Sequence, residues 1–181
     1  MATTRHDIDE PTRAFVTRQP MFFVASAPLA ASGRVNVSPK GLDAFRVLSP
    51  NLVGYVDAGG SGNETSAHVL ENGRVTLMFC SFDASPRIVR LYGRGEVVLP
   101  SDAKWAETYA RFPPFPGARQ IVLVHVDRVG SSCGYGVPTM TVAEQRDLLP
   151  EKRKKLGDAW YAPEGNCVSV DGLPTHLARR S

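Results

Sequence analysis

No stretch of this sequence stays apolar long enough to cross a bilayer, and no pair of cysteines is spaced to grip a metal or staple a loop. The longest largely apolar run, Met21 to Ala31, has 11 residues and contains Ser26 and Pro28, short of the roughly 18 that a spanning helix takes. Cys80, Cys133 and Cys167 form no C-x-x-C pair, which is the pattern of separate thiols in a reducing compartment rather than a disulfide framework or a structural zinc site. An excess of one charge is also missing. The 21 Lys and Arg against 18 Asp and Glu leave +3, so neither nucleic acid nor an anionic membrane is called for as a partner. The first 20 residues are polar, include Asp7, Asp9 and Glu10, and place no basic stretch ahead of an apolar core. A secretory signal is therefore not expected and the cytoplasm is. There is no G-x-S-x-G and no Walker loop, which weakens the hydrolase and nucleotide-triphosphatase classes. The four histidines, His6, His68, His125 and His176, lack metal-ligand spacing.

What is present is a chain of 181 residues, the length of one ordinary domain. Its 43% hydrophobic and 22% charged residues are globular values. Glycine and proline together account for 30 positions of 181, above the usual share of roughly 12%, and point to many turns between short elements.

Six strands are expected: Met21–Ala27, Arg34–Ser38, Leu52–Val56, Arg74–Phe82, Arg87–Leu99 and Gln120–Val126. They are rich in β-branched and aromatic residues and several alternate in polarity. The first two lie close enough to form a hairpin, as do Arg74–Phe82 and Arg87–Leu99, with Gly93-Arg94-Gly95 a bulge or bend. A helix is expected from Asn63 to Glu71, stopped by Asn72-Gly73. A second runs from Ser101 to about Arg111, and a third is announced by the capping-box spacing Thr141 to Glu144. With few helices between strands the sheet should be mainly antiparallel. The expected class is α+β, a six-stranded barrel with flanking helices. Residues 1–20 form an arm or short helix, 21–138 the barrel, and 139–181 a C-terminal helical extension.

Two segments carry the best candidate chemistry. Ser38-Pro39-Lys40-Gly41 ends a strand, and the loop Asp57-Ala58-Gly59-Gly60-Ser61-Gly62 opens the helix at Asn63. A helix N-terminus offers unpaired N–H groups and about half a positive charge. Asn63, Thr65 and Ser66 add polar side chains, and Lys40 a cation, so a phosphate would satisfy all of them. The competing reading is that Asn63 only caps its helix, the glycines only turn the chain, and Lys40 is solvated. Other features are less specific. Gly93-x-Gly95 lacks the third glycine of a dinucleotide fingerprint. Lys152 to Lys155 suit a solvated helix face, and Cys133 has no neighbouring acid or histidine in sequence to lower its pKa. Arg87, Arg90 and Arg94 recur along one strand, as an anionic groove or as a solvated face.

Over roughly residues 15–138 the chain resembles the pyridoxamine 5'-phosphate oxidase-like split-barrel flavoproteins. The resemblance rests on FFVASAPL, RVNVSPKG, GNETSAHVLENGRVTLMF and RIVRLYGRGEVV. It implies a split barrel, a homodimer, and FMN bound between the subunits, working on a small-molecule substrate by hydride or electron transfer. It places Ser38 and Lys40 in the family's S-P-K-G segment and Asn63 at the asparagine ahead of the helix; with Asn36, Val37, Thr65, Ser66 and Arg90 these make up the expected cofactor-binding residues. Related members often carry Arg or Lys near Glu64 or Thr65, where this chain has none, leaving Arg34, Arg74, Arg90 or a partner-chain residue as a second phosphate cation. Cys133 to Pro138 is similar to a late family segment near the flavin or the dimer contact. The family also has deazaflavin and haem binders, and a non-catalytic flavin-binding module is a further alternative. With no second basic cluster for a substrate phosphate, oxidation of pyridoxamine phosphate itself is not the expected reaction.

Overall fold

The computed structural model describes residues 3–60, 62–156 and 166–180. Among them, eight antiparallel strands make one sheet: β1 (Thr3–Arg5), β2 (Phe22–Ser26), β3 (Asn36–Lys40), β4 (Phe45–Ser49), β5 (Leu52–Asp57), β6 (Arg74–Cys80), β7 (Ile88–Val98) and β8 (Gln120–Ser132). The order along the sheet is β3-β2-β6-β7-β8-β5-β4, with β1 added to β8.

Alternation in β6 shows why the sheet has an inside. Val75, Leu77 and Phe79 are buried while Thr76 and Met78 on the other face are half-buried. The sheet then curls. Phe22 on β2 and Phe45 on β4, from opposite ends of the strand order, meet with ring centroids 5.4 Å apart, and Phe79 lies 5.4 Å and 4.9 Å from them. Such aromatic pairs contribute about 0.5–1.5 kcal/mol each beyond their burial. The ends β3 and β4 do not pair, so the curled sheet is a split barrel, as expected. Its spine is the long β7–β8 pair, which bends at Gly93. A Cβ there would sit 2.1 Å from the His125 carbonyl oxygen, and the register slips between Tyr92 and Gly93, leaving Asp127 as an extra residue on β8.

Helix α1 (Glu10–Thr17) begins at Asp9, whose carboxylate accepts from Thr12 N at 3.0 Å. Helix α2 (Glu64–Asn72) packs on β2, β6 and β7 and ends at Gly73, whose φ of +73° is the left-handed turn that lets its N–H reach the carbonyls of His68 and Val69. On the outer face, Phe112 and Phe115 cover Val98, Ile121 and Leu123, with the short helix α3 (Trp105–Tyr109) alongside.

Several expectations are corrected. There are eight strands rather than six: β1 has only three residues, and β4 follows a turn with Leu42 and Asp43 at φ of 60° and 58°. β8 continues to Ser132. The helix expected from Ser101 shrinks to Trp105–Tyr109. The helix announced at Thr141 starts only at Leu148, as α4 (Leu148–Leu156). Thr141 to Glu144 are exposed, whereas Leu149 packs on the outer cluster, so burial rather than capping sets the start. Lys152, Lys154 and Lys155 are exposed on α4. Beyond α4, residues 166–175 lie against the start of α2 and lead into a 3-10 helix, His176–Arg180.

Candidate functional site

Three pieces of chain converge on a cleft of about 510 Å³, within the usual range for small-molecule sites. The edge strand β3 turns Asn36, Ser38 and Lys40 toward it by its period of two. The loop through Gly59, Gly60 and Gly62 forms part of its floor, and Gly59 takes a φ of +77° that favours glycine. The N-terminal turn of α2 closes it with Asn63, Glu64 and Thr65. Side chains already tie these walls together. Ser38 Oγ donates to Asn36 Oδ1 at 3.0 Å, and Asn36 Nδ2 donates to Thr65 Oγ1 at 3.1 Å.

Below the cleft lies a buried charge cluster. Asp57, the last residue of β5, accepts from Lys40 Nζ at 3.1 Å, Arg119 Nε at 2.9 Å and Gln120 Nε2 at 2.8 Å. Gln120 Nε2 also donates to Asn63 Oδ1 at 2.8 Å, and Arg119 Nη2 to the Gly62 carbonyl at 2.9 Å. Burial alone would push the Asp57 carboxyl up, but the Lys40 and Arg119 cations and their hydrogen bonds outweigh it and hold the group well below the usual carboxylate range. Tyr55 beside it is pushed far up, by burial first and then by the Asp57 charge, and stays a neutral phenol.

The two places singled out for an anion therefore do share one cleft, with two corrections. Asn63 does not cap α2 with its side chain; its amide is engaged by Gln120 and by the Asn166 carbonyl, at 2.8 Å and 3.3 Å. Nor is the cleft strongly basic, since Asp57 and Glu64 balance Lys40 and Arg119 among its lining.

Of the remaining candidates, Val37 points away from the cleft and is 60% exposed. Ser66 is fully buried behind it, its hydroxyl 3.1 Å from His176 N. Arg90 lies on β7, where Nη1 donates to Ser132 Oγ at 3.3 Å, and does not line the cleft. Arg34 pairs with Asp171, and Arg74 bonds Asn72 and the Pro28 carbonyl. The second cation on the lining is Arg119, which is not evident in the sequence; its guanidinium is buried and bonded to Asp57, Asn166 and the Gly62 carbonyl. Nothing local marks it; only the pairing of Asp57 with Gln120 across β5 and β8 brings it there. Cys133 is exposed on a separate cleft that also holds Arg18, Arg87 and Tyr135.

A sequence profile described as pyridoxamine 5'-phosphate oxidase matches residues 8–133. The pyridoxamine 5'-phosphate oxidase family protein ustO of Aspergillus flavus is 40% identical, over 96% of this chain and 78% of its own. Among solved structures, HupZ of group A Streptococcus superposes with a TM-score of 0.52 at 18% identity, covering 67% of this chain and 91% of that one. A putative pyridoxamine 5'-phosphate oxidase of Lactobacillus delbrueckii gives 0.51 at 19%, covering 69% and 98%. The FAD-binding protein of Mycobacterium smegmatis gives 0.50 at 13%, covering 71% and 97%. At these identities the structural likeness speaks for the fold.

Proposed function

The chain belongs to the pyridoxamine 5'-phosphate oxidase family, and from that premise we propose that it is an FMN-dependent oxidoreductase acting on a small molecule. The observation that carries this reading is the meeting of Lys40, the polar face of β3 and the first turn of α2 in one cleft.

The donor set fits a phosphate monoester. Lys40 Nζ, Ser38 Oγ, Asn36 and Thr65 are all hydrogen-bonding groups on the lining, and the helix N-terminus adds N–H groups and a partial positive charge. Gly60 has no atom within 4 Å of where a Cβ would stand, so the backbone there is open to close approach. Among the described residues the lining holds no histidine, cysteine or methionine, and Tyr55, of a type that can ligate haem iron, is buried and held as a neutral phenol, which favours a flavin over haem.

When bound, the flavin supplies hydride or electron transfer. This chain's part is placement and electrostatics. Asp57 and Arg119 fix Lys40 from below, so its ammonium is aimed before the ligand arrives, and the Asn36–Thr65 bond sets the spacing between β3 and α2. Tyr55, kept neutral under Lys40, presents an apolar ring 5.8 Å from the ammonium. No proton-transferring side chain is required.

Assembly as a homodimer with the cofactor at the subunit interface is part of the same proposal. Its support is the exposed apolar edge around β3, where Leu29, Val35 and Val37 are open to solvent. Among the described residues no helix is long and apolar enough to cross a membrane; a cytoplasmic location is proposed.

Protein as purified should show the visible absorption of bound flavin, or acquire it on adding FMN. Lys40→Ala should weaken FMN binding by about 1.5 kcal/mol, the lower end for a hydrogen bond to a charged group because Lys40 also serves Asp57. A colourless protein that ignores FMN would overturn the reading.

A further inference from the structure

The segment from Asn166 onward lies beyond residues 8–133, which the family profile matches, yet it builds one end of the cleft. Asn166 Oδ1 accepts from Arg119 Nη1 at 2.5 Å, just ahead of β8. Four residues later the Val170 N–H donates to both Glu64 carboxylate oxygens, at 3.1 Å and 3.0 Å. Asp171 then accepts the Arg34 backbone N–H at 2.7 Å and pairs with its guanidinium, just ahead of β3. The chain thus crosses the first turn of α2 from one wall of the cleft to the other.

This crossing is built rather than draped. Asn166, Ser169 and Thr175 are buried, Thr175 Oγ1 donates to the Asn166 carbonyl at 2.7 Å, and Ser169 N donates to the Leu173 carbonyl at 2.8 Å. Val168 and Val170 are left exposed, and of the two Val170, 65% exposed, lines the cleft. The Glu64 carboxylate, which accepts from the Val170 N–H, lines the cleft beside it, while Asp171 is paired with Arg34.

A phosphate monoester held by Lys40 and the α2 amides ends at that turn. A diphosphate bridging to a second nucleotide would have to continue past the Val170 side chain and the Glu64 carboxylate beside it, both of which line the cleft. We propose that residues 166–171 are the specificity element of this cleft, admitting the flavin mononucleotide and rejecting the dinucleotide. The inference rests on the flavin reading given above and assigns the choice between FMN and FAD to a segment beyond the residues that the family profile matches.

The test is a fluorescence titration of full-length protein, stripped of cofactor, with FMN and separately with FAD. The unaltered chain should bind FMN at least about tenfold more tightly. Val170→Gly removes the obstruction without opening the core, and Asp171→Asn loosens the clasp on Arg34. Each should narrow the ratio to within about threefold, chiefly by tightening FAD, with thermal melts confirming that both variants fold. Equal affinities in the unaltered chain, or a ratio unmoved by both substitutions while FMN still binds, would overturn the proposal alone. Failure of both flavins to bind would overturn the flavin reading and this inference with it.

Discussion

Replacing Asp57 by asparagine probes the charge cluster on which the cleft is built. The carboxylate is 6% exposed and compensates Lys40 and the almost fully buried Arg119. Removing one partner of a buried ion pair costs about 3–5 kcal/mol, because the remaining charge is left uncompensated. Asparagine still offers one acceptor to Arg119, so the lower end, about 3 kcal/mol, is expected. For a chain of this length that corresponds to a fall in Tm of roughly 6–12 °C. Since the folded carboxyl titrates below its unfolded value, its contribution is complete above the unfolded pKa of about 4 and is lost only as pH falls through the folded one. The gap between the two proteins in urea unfolding should therefore be constant between about pH 5 and 8 and close only in strong acid. A gap below about 0.5 kcal/mol at neutral pH, the range of an ordinary surface change, would refute the idea that Asp57 holds the cluster together.

Gly93→Ala should destabilise the protein by about 3 kcal/mol, the upper range for overpacking, because the new Cβ meets the His125 carbonyl at 2.1 Å; wild-type denaturant stability would show that the β7–β8 bend does not need glycine. Val37→Lys, at an exposed position on edge strand β3, should change monomer stability by no more than about 0.5 kcal/mol while shifting sedimentation from dimer toward monomer. An unchanged sedimentation coefficient would remove this edge from the proposed interface.

Much of the barrel was legible because its strands advertise themselves locally. Val75, Leu77 and Phe79 alternate, and the Asn63 to Gly73 stretch carries its own stop signal. The β3 wall was legible only in part: the strand was expected to stop at Ser38 and Val37 was grouped with the site, whereas the strand runs on to Lys40 and its period of two separates Asn36, Ser38 and Lys40 from Val37. What could not be read depends on pairing at a distance. Asp57 and Gln120 are adjacent only through the β5–β8 register, and Asn166 reaches Arg119 only after the chain has returned across α2. Arg90 has the charge expected of a phosphate ligand, but its strand lies in the spine of the sheet and its guanidinium is bonded to Ser132.

The phosphate is the part of the ligand that the cleft is proposed to grip. Comparing FMN with riboflavin, which has the same ring and side chain but no phosphate, isolates the contribution of Lys40 and the α2 N-terminus. Charge-assisted hydrogen bonds of about 1.5–3 kcal/mol each predict that FMN binds at least tenfold more tightly than riboflavin, and that the preference fades as salt is raised. Equal affinity for the two would show that the cleft does not hold a phosphate.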